Sequence, residues 1–432
     1  MTLVLNRIQF NTGTGAPTTT IDVAHGLGVT PTFLILWCMG QTGTTDVLGR
    51  KTMLRSFGIA VSTSSRATVG SRSEDTPTAM VTDRHYRTDA CLVEVTNGGV
   101  AGLLDVNALD STNIQFIIDA TWGSDVRVMG FVGAGTDNTF IGEAALNTSV
   151  STQDITAPGF TCTADQGFVF FMATGLDTAP PVSAIDSQLC IGCATDSAAG
   201  KQWVWAGGSN DGAANAQTLA YCKSGQIVTK YDSGVLAHDT AVSFNGFITN
   251  GFQLNITDAP PAALRVPYLI VKGGRWQCGN FLTQTDTTTD ITVSSLPDTP
   301  LGGLLVSASR AESTAATPTD DDAISLGAVI SDTVECCQAA MDDDAAGTAV
   351  VGAGFEGDAC YLNLSNTVTL EGRMDCRSVT GTGWTFRMDD ADTAQSFVGF
   401  LAGMAAAAAA TGQPTIKRWG GVPFGPARRG VY

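Results

Sequence analysis

The sequence predicts an all-β protein: three tandem antiparallel β-sandwich domains, jelly-roll-like in type, followed by a short C-terminal arm. Three observations carry that expectation. Short runs rich in Val, Ile, Leu and Phe recur along the 432 residues, among them FLILW at 33–37, FVFFMA at 168–173, GLLVSA at 303–308 and FVGFLAG at 397–403. Clusters of Gly, Asn, Asp, Ser and Thr separate them, as turns separate strands. No long stretch has a capped helical period, and the one helix-prone segment is AGMAAAAAATG at 402–412. The third observation is an internal repeat.

The repeat has three copies. The first opens with Phe10 and continues TTTIDVAHGLGVTPTFLILW at 18–37. The second opens with Phe140 and continues STQDITAPGFTCTADQGFVFFMA at 151–173. The third opens with Phe281 and continues TTTDITVSSLPDTPLGGLLVSA at 287–308. Each runs from a Thr-rich strand through Ile21, Ile155 or Ile291 and a turn into an apolar strand. FGIAV at 57–61, LCIGCA at 189–194 and ISLGAVI at 324–330 fall at matching places, and each copy closes on a similar strand. The copies are domain-sized, well beyond a solenoid unit. The expected boundaries are 1–136, 137–276 and 277–404, with an Ala-rich linker and arm at 405–432.

Composition narrows the function. The net charge is −18 and the pI about 4.4, which opposes a protein that coats nucleic acid. The charge is uneven: −2, −5 and −15 for the three copies and +4 for residues 405–432. No apolar run is long enough to span a bilayer, and no secretory leader is visible, so synthesis in a cytoplasm is expected. The eleven cysteines read as reduced, small core residues rather than a disulfide framework.

Few residues carry a chemical signature. Asp320–Asp322, Asp342–Asp344 and Asp389, Asp390 and Asp392 are carboxylate clusters without EF-hand spacing, so they read as solvated loops and no metal is expected. Cys190 and Cys193 have a C-x-x-C spacing. In a strand they face opposite sides, which opposes a shared metal. His25, His85 and His238 are the only histidines. No nucleophile elbow or phosphate loop accompanies them. No catalytic residue and no cofactor is assigned. Trp203 and Trp205 project to one face of a strand and form a possible glycan contact, the alternative being core packing. The C-terminal arm interleaves cations with aromatic residues: Lys417, Arg418, Trp419, Phe424, Arg428, Arg429 and Tyr432. Such residues anchor partner surfaces, so the arm reads as an assembly element.

The block TGTGAPTTTIDVAHGLGVTPTFLILW at 12–37 resembles the opening of β-sandwich repeats in tailed-bacteriophage virion proteins of the tail-fibre or appendage kind. His25-Gly26-Leu27-Gly28 and Pro31 carry the likeness. The second copy has Gly159-Phe160 in place of that turn, and the third keeps Leu296 and Pro300. KRWGGVPFGPARRGVY at 417–432 is similar to short basic endings of phage structural proteins. The resemblance implies a non-enzymatic virion component, tail-fibre-like or capsid-decorating. Its expected partners are capsid or tail subunits, further copies of itself (a trimer first) and a host-surface glycan. A glycan-binding or polysaccharide-acting protein is the alternative.

Overall fold

The computed structural model describes residues 2–42, 52–74, 81–210, 218–232, 237–313, 319–342, 351–365 and 369–404. It is built from antiparallel strands, with one 3-10 turn at Ala199–Lys201. The arm residues Lys417 to Tyr432 lie outside the described residues.

The strands form three large sheets and three four-stranded sheets. The first large sheet runs Val4–Asn11, Arg127–Ala134, Phe33–Cys38, Thr52–Ala60, Arg66–Glu74, Val81–Arg87. Its small companion runs Thr20–Ala24, Asn113–Ala120, Gly99–Leu109, Leu92–Thr96. The second and third sheet pairs follow the same order from Asn138 to Lys272 and from Arg275 to Met404. The third set therefore starts at Arg275, just before the expected boundary, and Gly273-Gly274 is the turn between sets.

Tight hairpins, such as the one closed by the Val61 N–H on the Ser65 carbonyl, keep successive strands side by side. In the first set Phe33–Cys38 to Val81–Arg87 and Leu92–Thr96 to Asn113–Ala120 run as meanders, whereas Val4–Asn11, Thr20–Ala24 and Phe33–Cys38 alternate between the two sheets and the last strand, Arg127–Ala134, lies between the first and the third. The all-β antiparallel sandwich expected from the sequence is what the described residues form.

Each repeat fills a core of its own between its large and small sheets. The large sheets are also covered on their other face. Leu34, Leu36 and Cys38 enter the first repeat's own core, whereas Phe33, Ile35 and Trp37 enter a core shared by all three repeats. Val169 and Phe171 alternate in the same way with Phe168, Phe170 and Met172, and Leu305 with Leu304 and Val306. Two buried faces explain why these strands read as unbroken apolar runs.

Two strands cross between repeats. Val182–Ile185, from the second repeat, pairs with the edge strand Val81–Arg87 of the first. Thr319–Asp320, from the third, pairs with Thr218–Ser224 of the second.

Candidate functional site

The three repeats superpose by strand register. Gly58, Gly192 and Gly327 pair with Leu36, Phe171 and Leu305. A Cβ on these glycines would lie 1.6, 1.9 and 2.1 Å from the carbonyl oxygens of Cys91, Ile227 and Cys360 in the opposing sheet. Those three residues are themselves equivalent: their N–H groups bond to Leu104, Val242 and Met374. Only glycine permits the two sheets to approach this closely.

Counting five residues back from each glycine gives Met53, Ser187 and Asp322. Their cross-strand partners are Ser73, Ser209 and Asp342. Ser73 and Ser209 both donate their hydroxyls to Oδ2 of Asp342, the latter at 2.8 Å. Three equivalent positions thus meet at one point, and an approximate threefold arrangement relates the repeats. The next positions extend it. Thr82 donates to the Ser209 carbonyl at 3.4 Å, and Thr218 donates to the Asp342 carbonyl at 3.0 Å. The third equivalent is Val351, which has no hydroxyl and ends the pattern.

Beside Asp342 lies Arg55. It forms an ion pair with Asp322, and both side chains are fully buried. Its Nη2 donates to Ser187 at 2.8 Å and its Nε to Ser71 at 3.2 Å, so one guanidinium touches all three repeats. Its plane also lies over Trp205, 5.6 Å from the ring centroid. Gly207 makes room, since a Cβ there would sit 2.0 Å from Asp322 Oδ1. Burial pushes the Asp342 carboxyl up to about 7, the neighbouring Asp322 adds to that, and the two serine hydroxyls and Arg55 oppose it. Asp322 is also raised by burial, against the pull of Arg55.

A second feature is a groove of about 510 Å³ on the third repeat, lined by Asp332, Thr333, Glu335, Asp358, Asp375, Cys376 and Arg377. Burial raises Glu335 to about 8, although it accepts the Cys376 N–H at 3.0 Å. Burial and the adjacent Asp389 raise Asp375 to about 7. The groove holds carboxyl groups that keep their protons near neutrality, with Arg373 and Arg377 as the nearby cations.

The possible glycan contact is corrected. Trp203 and Trp205 do share a face, but it points into the shared core, and each is 1% exposed. Trp203 Nε1 donates to the Phe400 carbonyl and Trp205 Nε1 to the Ala323 carbonyl, both at 2.8 Å and both in the third repeat. The two indoles join the second repeat to the third and offer no face to a sugar.

The solvated reading of the acidic clusters is corrected in part. Asp322, Asp342 and Asp392 are buried, while Asp389 and Asp390 are exposed. Asp392 accepts from Thr283 at 2.6 Å, Tyr361 at 3.0 Å and Asn363 at 3.2 Å, which explains how its carboxyl is tolerated inside. Asp343 and Asp344 lie outside the described residues. Among the described residues, no group of three or more metal-ligating side chains converges.

Cys190 and Cys193 enter different cores, as strand alternation requires. All eleven cysteines are buried free thiols. His25 is a turn residue: Nδ1 accepts the Leu27 N–H at 3.2 Å and Nε2 meets the Asp110 carbonyl at 3.1 Å. Gly26 and Gly28 both take positive φ in that turn. His85 Nδ1 lies 2.6 Å from Ser183 Oγ on the strand that crosses from the second repeat. Burial lowers His85 to about 4.

Sequence reasoning missed Arg55, Asp322 and Asp342 as a unit. The available signal was a charged residue inside otherwise apolar strands: Arg55 in TMLRSFGIA and Asp342 at the end of VECCQAAMD. No helix among the described residues is long and apolar enough to cross a membrane. No protein-family model matches the chain, and no curated protein matches it.

Proposed function

We propose that this chain is a structural protein of a tailed-bacteriophage virion, a surface appendage or capsid decoration that works by assembly rather than catalysis. The observation that supports the reading best is the shared core. Three sandwiches in one chain close their large sheets on one another and cross strands between neighbours. Such a block is stiff in its described strands, which suits an exposed particle surface. It also supplies, within one chain, the three-part arrangement that a homotrimer would build from three. The resemblance of the turn at His25–Gly28 and Pro31 to phage appendage repeats directs the reading to a virion. The glycan-binding alternative loses its residues with the burial of Trp203 and Trp205.

Quantitative mass spectrometry of purified phage particles tests the reading by counting copies of this chain per portal ring. Hundreds of copies support a decorating role, and a small number supports a fibre or baseplate part. Absence from the particles refutes the proposal. In the same reading, removing residues 413–432 leaves a folded protein that no longer joins the particle. Normal incorporation of the shortened chain would show that Lys417 to Tyr432 are not the anchor.

A further inference from the structure

The three seams between repeats are not equivalent. Residues 135–137 link the first repeat to the second, and Gly273-Gly274 links the second to the third. The first and third repeats have no such link, so side chains and backbone contacts alone close that seam. Gln338 donates to the Arg127 carbonyl at 2.9 Å across it, and Arg127 lies 5.4 Å from the Phe355 ring centroid. At one end of the seam Leu5 fills the space left by Gly302 and Gly403. At the other end sit the Arg55–Asp322 ion pair and the Ser73–Asp342 hydrogen bond.

The charges there do not balance. One guanidinium faces two carboxyl groups, and all three side chains are buried away from water. Arg55 stands where the other repeats have Leu189 and Ile324, and Asp342 stands where they have serine. Among the described residues, the Asp342 Oδ1 has no hydrogen-bond partner. With both carboxyls ionised, one negative charge would remain uncompensated in a dry interior, which is strongly unfavourable. The remaining groups facing the pair do not remove it: Ser73, Ser209 and Thr218 are neutral, Tyr231 faces Asp322 as a phenol, and Arg310 acts on Asp322 from a distance while pairing with Asp321.

We propose that Arg55, Asp322 and Asp342 form a pH-sensitive clasp that closes the first repeat onto the third, tight while the two carboxyls share one proton and loosened when it leaves. The direction follows from linkage. Asp342 titrates higher in the folded chain than in the unfolded one. Its contribution is therefore complete at acid pH and is lost as pH rises through about 7.

The test uses the full chain, its Asp342→Asn variant and its Asp342→Ser variant, which installs the residue of the other two repeats. Hydrogen exchange is followed by mass spectrometry at about pH 5.5 and about pH 8.5, corrected for the intrinsic pH dependence of exchange, alongside the thermal midpoint. In the wild type, strands Thr52–Ala60 and Val334–Asp342 are expected to lose protection at the higher pH more than Ser187–Ala194 does. The midpoint is expected to fall by about 3 °C more than in either variant. Two variants guard against one failing to fold. Wild-type pH dependence retained in a folded Asn or Ser variant overturns the proposal, as does loss of protection spread evenly over the three repeats. Restoration of the wild-type seam at the higher pH by added sodium or calcium ions also overturns it, because the compensating charge would then be a metal cation.

Discussion

Gly58, Gly192 and Gly327 place the same severe steric demand at one equivalent position of each repeat. Each lies under a carbonyl oxygen of the opposing sheet, at distances no real Cβ tolerates. Gly→Ala at any of the three is expected to cost about 1–3 kcal/mol or more, because backbone rather than a side-chain tip must move. Chemical denaturation of the three single variants checks this, and equal losses would show that the sites act alike. Alanine at exposed Gly98 meets open space, but its positive φ strains any other residue, so the loss there should be smaller. The Trp203→Ala variant should lose about 3–5 kcal/mol, through lost packing and an orphaned Phe400 carbonyl. A stable variant with reduced sugar binding would contradict that account. These residues were only partly legible. The matched places of FGIAV, LCIGCA and ISLGAVI hold the three glycines, so the repeat marked them, but nothing in one sequence says what a glycine lies against.

Among the elements, the crossing strand Val182–Ile185 carries the clearest consequence. Its Ser183 meets the neutral ring of His85, whose burial lowers its titration to about 4. A histidine lowered in this way binds its proton more readily in the unfolded chain. Stability it supports is therefore present above about pH 6.5 and is lost as pH falls toward 4. His85→Gln should flatten the acid limb of a midpoint-against-pH curve, measured by circular dichroism, and an unchanged limb would assign it to other groups. Its sign is opposite to that of Asp342 and the two pH windows overlap, so the contributions offset each other and the single variants are what separate them. The strand elements themselves were legible because Val, Ile and Phe runs alternate with turn residues. The crossing strand was not: VSAI is short, and its partner Val81–Arg87 lies in another repeat. Unbroken runs such as FLILW held a further clue. A sandwich strand with one solvated face alternates, so continuous apolar character already meant a second buried face.

On the scale of the whole molecule, the shared core makes the three repeats one cooperative body. Phe33, Phe168 and Trp276, from three repeats, touch one another with ring centroids 4.6 to 5.9 Å apart. A single repeat expressed alone would expose its face of that core, and is expected to aggregate or remain loosely packed. Co-expression of residues 1–273 with residues 274–432 should instead recover a soluble complex, read by size-exclusion chromatography, because the cut falls in the turn Gly273-Gly274. Two independently soluble, monomeric fragments would contradict one shared core. Self-similarity was legible in the sequence, but mutual packing was not, since a tandem array and a closed trio have the same sequence pattern. Crossing strands also bear on synthesis. As the chain leaves the ribosome, the first repeat is complete in sequence before Val182–Ile185 has emerged, and its strand Val81–Arg87 must wait with an open edge. The second repeat waits in turn for Thr319–Asp320. Neighbouring nascent chains on one messenger would each display such an edge, and one could capture the other's late strand. Fast translation through the later repeats, or a chaperone that shields the waiting edge, would favour each chain keeping its own strands.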